Sequence, residues 1–303
     1  MAPPARSRRI PPGTLAREID RLLADVAGTV DEVIERPHPT SESLHELHRE
    51  MRRLRHALAI WERVLADRQR ELIRPLDLRL KRLARLIGRV RDRDVVLHLL
   101  EGPTLPRPVR EDAALVTRLR SRLRDDARTG RELLRVFLRS ERDAHLFEGL
   151  REILELPPRS GAGAKLRTIL DREQERRHDR VRSAHRKARR RPSSGRLHRL
   201  RIQVRRLRHL SEVRTQIDGT TLAEFPSEAK RLQTRLGRLH DLDVVLGELD
   251  TDLRATEWAR ALGRERNAVR DAIRRSIKGR RWPALKLVPA PVPANARRRR
   301  AGS

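Results

Sequence analysis

Apolar residues recur at three- and four-residue steps along most of this chain, and the clearest run is Leu44, Leu47, Met51, Leu54 and Leu58. That spacing places them on one stripe of an α-helix. At about 3.6 residues per turn, His45, His48, Arg52, Arg55 and His56 fall on a second stripe beside the first. The arrangement returns 153 positions later, as Leu197, Leu200, Val204 and Leu207 flanked by His198, Arg201, Arg205, Arg208 and His209. Each helix then buries one edge and carries a row of cations along the rim of what it buries. Pro39 precedes the first copy, where Thr40 or Ser41 can cap the helix. Pro192 stands at the matching place before the second copy and is followed by Ser193 and Ser194. Shared punctuation argues for a duplicated structural unit.

A second pair of segments also repeats. Lys81 to Leu97 is echoed by Lys230 to Leu246 at an offset of 149, so four residues, one helical turn, are lost between the motifs. The rest of the pattern is helical too. Residues 14–35 carry an amphipathic stripe from Leu15 to Val33, and Glu71 to Arg91 is followed by a segment from Asp92 to Glu101. Residues 109–139, 141–156, 164–191 and 251–278 read as further helices. Pro157, Pro158, Gly161 and Gly163 make the sharpest boundary. The pattern predicts an all-α chain of two tandem helical units, 14–156 and 164–285, each with its own core, with long helices and short loops as in antiparallel bundles. Residues 1–13 and 287–303, rich in Pro and Arg, are expected to be a disordered basic head and tail.

Composition sharpens this picture. Charged residues are 38% of the 303 and hydrophobic ones 37%, so apolar material must be confined to stripes. There is no Cys, which excludes disulfides, thiolate metal sites and cysteine catalysis. No apolar run approaches a bilayer span and the N-terminus lacks a signal-peptide core, so a cytoplasmic protein is expected, with no membrane partner. The formal net charge is +30. A fold with that imbalance repels itself unless a polyanion is its usual company. Of 72 basic residues only six are Lys. The planar fork of Arg holds two phosphate oxygens at once, although a GC-rich genome also favours Arg codons.

The repeated motifs resemble the CHAD family, the conserved-histidine α-helical domain. In the first half the matching residues are His45, Arg52, Arg53, Leu54 and Arg55, then Lys81, Leu83, Ile87, Gly88, Arg91, Asp92, Asp94 and Val95. In the second they are Leu197, His198, Leu200, Arg201, Ile202, Arg205, Leu207, Arg208 and Glu212, then Leu232, Gln233, Leu236, Gly237 and Asp241. The resemblance covers about residues 14 to 285. It implies two tandem four-helix-bundle-like halves related by pseudo-twofold symmetry, with a basic central groove that binds inorganic polyphosphate, and association with polyphosphate granules. There are two departures. His48 stands where the family has Arg, which makes one cation pH-dependent, and His209 stands where an aromatic follows the last Arg.

The candidate ligand-binding residues are therefore His45, His48, Arg49, Arg52, Arg53, Arg55, Lys81, Arg82, Arg85, Arg89, Arg91, His198, Arg201, Arg205, Arg206, Arg208, Lys230, Arg231, Arg238 and His240. Arg52, Arg53 and Arg55 have no acid at matching angles on their own helix, unlike an ordinary solvated face. Asp92, Asp94, Asp241, Asp243 and Glu212 read as helix caps or as groups that orient the cations, rather than as metal ligands or catalytic acids. His240-Asp241 looks like a phosphohydrolase metal pair, but the matching Arg91-Asp92 cannot bind metal. No phosphate-binding Gly loop and no nucleophile elbow are present. No cofactor, no metal and no enzymatic activity are expected. Nonspecific nucleic-acid binding is the alternative. With aromatics at 2%, stacking platforms are scarce.

Overall fold

The computed structural model describes residues 12–36, 39–65, 67–156, 162–222, 227–280, 282 and 287–289. Helix α1 (Pro12–Glu35) buries Leu15, Ile19, Leu22, Leu23, Val26, Val30 and Val33, the stripe its periodicity predicts. Helix α2 (Ser41–Trp61) starts behind Thr40, whose hydroxyl oxygen accepts the Ser43 N–H at 3.1 Å. Helix α3 (Asp67–Glu101) is continuous where the pattern suggests two segments. Asp92 and Asp94 thus lie inside a helix and cap nothing. The carboxyl of Asp94 is instead held by Arg131 and Ser41. Helices α4 (Ala113–Asp143) and α5 (Leu146–Glu155) complete the first half.

The second half runs through α6 (Ala162–Arg190), α7 (Ser194–Asp218), strand β1 (Thr220–Leu222) and α8 (Ser227–Gly247), then the single turn α9 (Thr251–Arg254), α10 (Glu257–Ile277) and strand β2 (Leu287–Pro289). The segment expected as one helix over 251–278 breaks at Thr256, whose hydroxyl oxygen accepts the Ala259 N–H at 3.1 Å and restarts the helix as α10. The disordered tail expected from residue 287 needs a correction. Leu287–Pro289 pairs antiparallel with Thr220–Leu222. The Pro/Ala/Arg average of the tail hides one short apolar step, Leu287-Val288, which ends at a proline with no N–H to extend the ladder. Of the expected basic head, residues 1–11 lie outside the described residues, and 12–13 belong to α1.

The halves do not keep separate cores. One apolar cluster joins α1–α5 to Leu166 and Leu170 of α6 and to Leu210, Val213 and Ile217 of α7. A second joins the end of α3 and the start of α4 to Leu242, Val245, Leu249, Leu253, Trp258 and Leu262. The third belongs to α6, α7, α8 and α10 alone. Each fully buried Leu stabilises by about 1.5–3 kcal/mol over its exposed state, so the shared clusters weld the halves together. Polar ties follow the same seam: the Trp258 indole N–H donates to Pro106 O at 2.8 Å, and its backbone N–H donates to Asp112 at 2.9 Å. Through this seam α2 lies directly on α7, which sets the two copies of the first motif against each other.

Candidate anion-binding site

The apolar stripes of α2 and α7 fix which sides of those helices face each other. Leu44, Leu47, Met51 and Leu54 on α2, and Leu197, Leu200, Val204 and Leu207 on α7, are all buried. The adjacent stripes carry His45, His48, Arg52 and His198, Arg201, Arg205 to one place. Helices α3 and α8 bring Arg91 and His240 to it. The electrostatics record the convergence. Arg52 is lowered to about 9 by burial first, then by Arg205, Arg91 and Arg201. Arg205 is lowered to about 10 by burial, then by Arg201, Arg91 and Arg206. Burial also lowers Arg201, against the opposing pull of Asp241. Guanidinium groups from three helices therefore repel one another in a partly desolvated space. Asp92 and Asp241 are the acids that offset them.

The histidines take specific parts. Arg91 Nε donates to His45 Nδ1 at 3.1 Å. An accepting Nδ1 leaves the His45 proton on Nε2, where it can be offered to a ligand oxygen. In the second half the equivalent pair is His198 and His240, whose ring centroids are 5.7 Å apart. Burial and neighbouring arginines hold His240 at about 4, and burial, then Arg201 and Arg205, lowers His198. His48 differs from expectation. It is buried with its ring against Gly88, both ring nitrogens lack a partner, and burial with Arg52 and Arg91 holds it at about 3. It supplies no pH-dependent cation near neutrality.

A second cationic group lies farther along the same two helices. His56 and His209 occupy equivalent places in the repeat, and their rings stack at 5.7 Å. Here acids stand close: Glu212 lies one turn along α7 from Arg208, and Asp77 comes from α3. Arg53 and Arg208 lie 3.7 and 3.2 Å from Glu212, and His209 Nδ1 lies 3.2 Å from it. Arg55 lies 3.7 Å from Asp77, which also pairs with Lys81. Arg49 pairs with Glu46, and Arg238 Nε donates to Glu265 at 3.0 Å. Arg82, Arg85, Arg89, Lys230 and Arg231 are on exposed faces of α3 and α8. Asp243 accepts from Arg266 Nε at 2.6 Å, and Arg266 also donates to Ser194 at 2.7 Å. Asp94, Arg131 and Ser41 repeat that tie in the first half. Arg206 sits among Arg55 and two cations the motifs did not flag, Arg177 and Arg180 of α6. Only the packing of α6 along α7 reveals them. Among the described residues no three His, Asp or Glu side chains gather as a metal would require.

The fold and the convergence of the four motifs define a class: helical-bundle domains built on a duplicated His/Arg motif. The chain belongs to the CHAD family, whose domain model matches residues 15–250. Its structure is similar to the crystal structure of the CHAD domain from the plant Ricinus communis, with a TM-score of 0.60 at 21% sequence identity, covering 94% of this chain and 100% of that one. A search of curated proteins finds no match.

Proposed function

We propose that this chain binds inorganic polyphosphate, without transforming it, at the place where the four motifs meet. The observation that carries the reading is the group Arg52, Arg91, Arg201 and Arg205, four guanidinium groups whose mutual repulsion two acids, Asp92 and Asp241, offset only in part. A run of phosphates supplies the missing charge, and the guanidinium forks can each hold two of its oxygens. His45 Nε2 adds a neutral donor. His56 and His209, at equivalent places in the repeat, stack ring on ring; that contact fits a local twofold between the repeats, and a linear polymer of identical units suits a site with two like halves. The scarcity of aromatics favours a partner with no bases to stack. The cellular expectation is attachment to polyphosphate granules. No helix among the described residues is long and apolar enough to cross a membrane.

The test is a titration of long-chain polyphosphate, and of duplex DNA of equal charge, at several salt concentrations. Arg52→Gln with Arg205→Gln removes two charge-assisted contacts and should weaken polyphosphate binding about 100-fold. Arg260→Gln with Arg264→Gln removes the same charge from an exposed pair that touches Glu257, and should change affinity less than about twofold. Equal losses in the two variants, or equal affinity for DNA, would mean that total charge decides and that the central site is not a site. Release of phosphate from the polymer, lost in Asp92→Ala or Asp241→Ala, would overturn the non-catalytic part.

A further inference from the structure

Helix α7 carries two rows of cations, and the central site uses one of them. Its apolar row is Leu197, Leu200, Val204 and Leu207. One flank holds His198, Arg201, Arg205 and Arg208. At about 100° per residue, the opposite flank holds Arg196, Arg199, Gln203 and Arg206. That flank faces α6, which runs antiparallel beside it and presents Arg180, Ser183, Ala184 and Lys187. Between the two rows lies an open pocket of about 420 Å³ lined by Arg180, Ser183, Ala184, Lys187, Arg196, Arg199 and Gln203. Its lining has four cations, a hydroxyl, an amide and no carboxylate.

That composition is unusual for this molecule, where surface arginines commonly find an acid. Arg182, one turn of α6 away, pairs with Asp179, and Arg176 and Arg177 pair with Glu173. Two of the pocket cations are held by backbone instead. Arg196 Nη1 donates to Arg191 O at 3.2 Å and to Lys187 O at 3.4 Å, and Arg199 Nε donates to Gly195 O at 3.3 Å. Such bonds orient a guanidinium and leave its charge unspent. The pocket also connects to the central site. Arg206 follows Arg205 on α7; it is lowered by burial and then by Arg177 and Arg180 of α6, and it in turn lowers Arg205 of the central site.

We infer that the α6–α7 pocket is a second binding site for phosphate chains, occupied by the stretch of a long polymer that leaves the central site past Arg206. The inference rests on the polyphosphate reading above and adds a length dependence to it. A short oligophosphate fills the central site alone, whereas a long chain engages both.

The experiment compares the full chain with Arg180→Gln/Arg199→Gln and with Arg52→Gln/Arg205→Gln, each checked for helical circular dichroism. Each is titrated with tripolyphosphate and with long-chain polyphosphate across salt. The α6–α7 variant should bind tripolyphosphate as wild type does. It should bind the long chain about tenfold more weakly, with a salt slope smaller by about 1.4, the loss of two neutralised phosphates on a single-stranded polyanion. Long-chain affinity and slope equal to wild type, including the case in which neither protein binds, would overturn the second site. A central variant that keeps wild-type binding while the α6–α7 variant loses it would overturn the central reading and leave the pocket as the main site. Equal weakening of tripolyphosphate and long chain by the α6–α7 variant would show that the pocket is part of the first site, not a second one.

Discussion

Gly88 and Gly237 are the same motif position in the two halves, and they do different things. A Cβ at Gly88 would stand 3.3 Å from His48 Cε1, whereas one at Gly237 would meet nothing within 4 Å. Close helix packing therefore explains the first glycine and not the second. In a helix interior Ala is favoured over Gly by about 1 kcal/mol. Gly237→Ala should raise Tm by about 2 °C. Gly88→Ala should lose that gain, because the ring it presses on is buried between α2 and α3. Thermal denaturation of both variants checks the contrast, and a higher Tm for Gly88→Ala would show that His48 has room to move. The difference was invisible in the motif, since the packing neighbour of Gly88 is a residue 40 positions earlier. What the motif did expose was the set of cations. Arg52, Arg91, Arg201 and Arg205 all lie in the repeated motifs, but spacing alone does not separate them from Arg53, Arg55 and Arg208. The acids that reach Arg53 and Arg55 were not legible, because Asp77 comes from another helix and Glu212 crosses to Arg53 from the other half, whereas Arg208–Glu212 is a plain i,i+4 spacing on α7.

At the scale of elements, each copy of the repeat is held by a three-residue tie of Asp, Arg and Ser, centred on Asp94 in the first half and on Arg266 in the second. Asp94 on α3, Arg131 on α4 and Ser41 at the start of α2 form one. Asp243 on α8, Arg266 on α10 and Ser194 at the start of α7 form the other. The Asp and Ser members were legible as repeated positions. Arg131 and Arg266 were not, since the helices that carry them share no obvious motif. The two ties differ in burial: the Asp94 side chain is 2% exposed and that of Asp243 is 33% exposed. Breaking a buried pair strands its remaining charge at about 3 kcal/mol or more, while an exposed pair is worth about 1 kcal/mol or less. Arg131→Met should therefore destabilise much more than Arg266→Met in urea unfolding. Burial already raises the Asp94 carboxyl, so the Arg131→Met penalty should shrink on acidification. Equal penalties would show that burial does not separate the two ties. Helix boundaries were legible to within a few residues where Pro or Thr marks them. The continuity of α3 was not, because Asp92 and Asp94 resemble a helix start in sequence and serve tertiary contacts in the fold.

The whole molecule answers to pH through its histidines. His48 and His56 are held at about 3 and His240 at about 4, each by burial and by cations around it. In the unfolded chain the same groups take a proton near 6.5. Below that pH the unfolded state binds more protons than the folded one, so stability falls as pH drops from about 6.5 towards 4 and is fully present above 6.5. A bound polyanion favours the protonated rings, so the Tm gain from polyphosphate should be larger at pH 5.5 than at 7.5. A gain that is flat with pH would separate the histidines from the bound chain.

The apolar clusters that cross between the halves carry one more consequence, for what happens when the chain is cut. A protease or an engineered break between residues 156 and 162 severs a single covalent link. It leaves Leu166, Leu170, Leu210, Val213 and Ile217 packed on the first-half helices, and Trp258 and Leu262 packed near α3 and α4. The two fragments should remain a one-to-one complex on gel filtration. Each made alone exposes the partner's apolar footprint and should aggregate, and mixing them during refolding should restore helical signal and solubility together. The stretch that looks in sequence like a domain boundary should thus tolerate a nick, because the apolar clusters join the helices on either side of it.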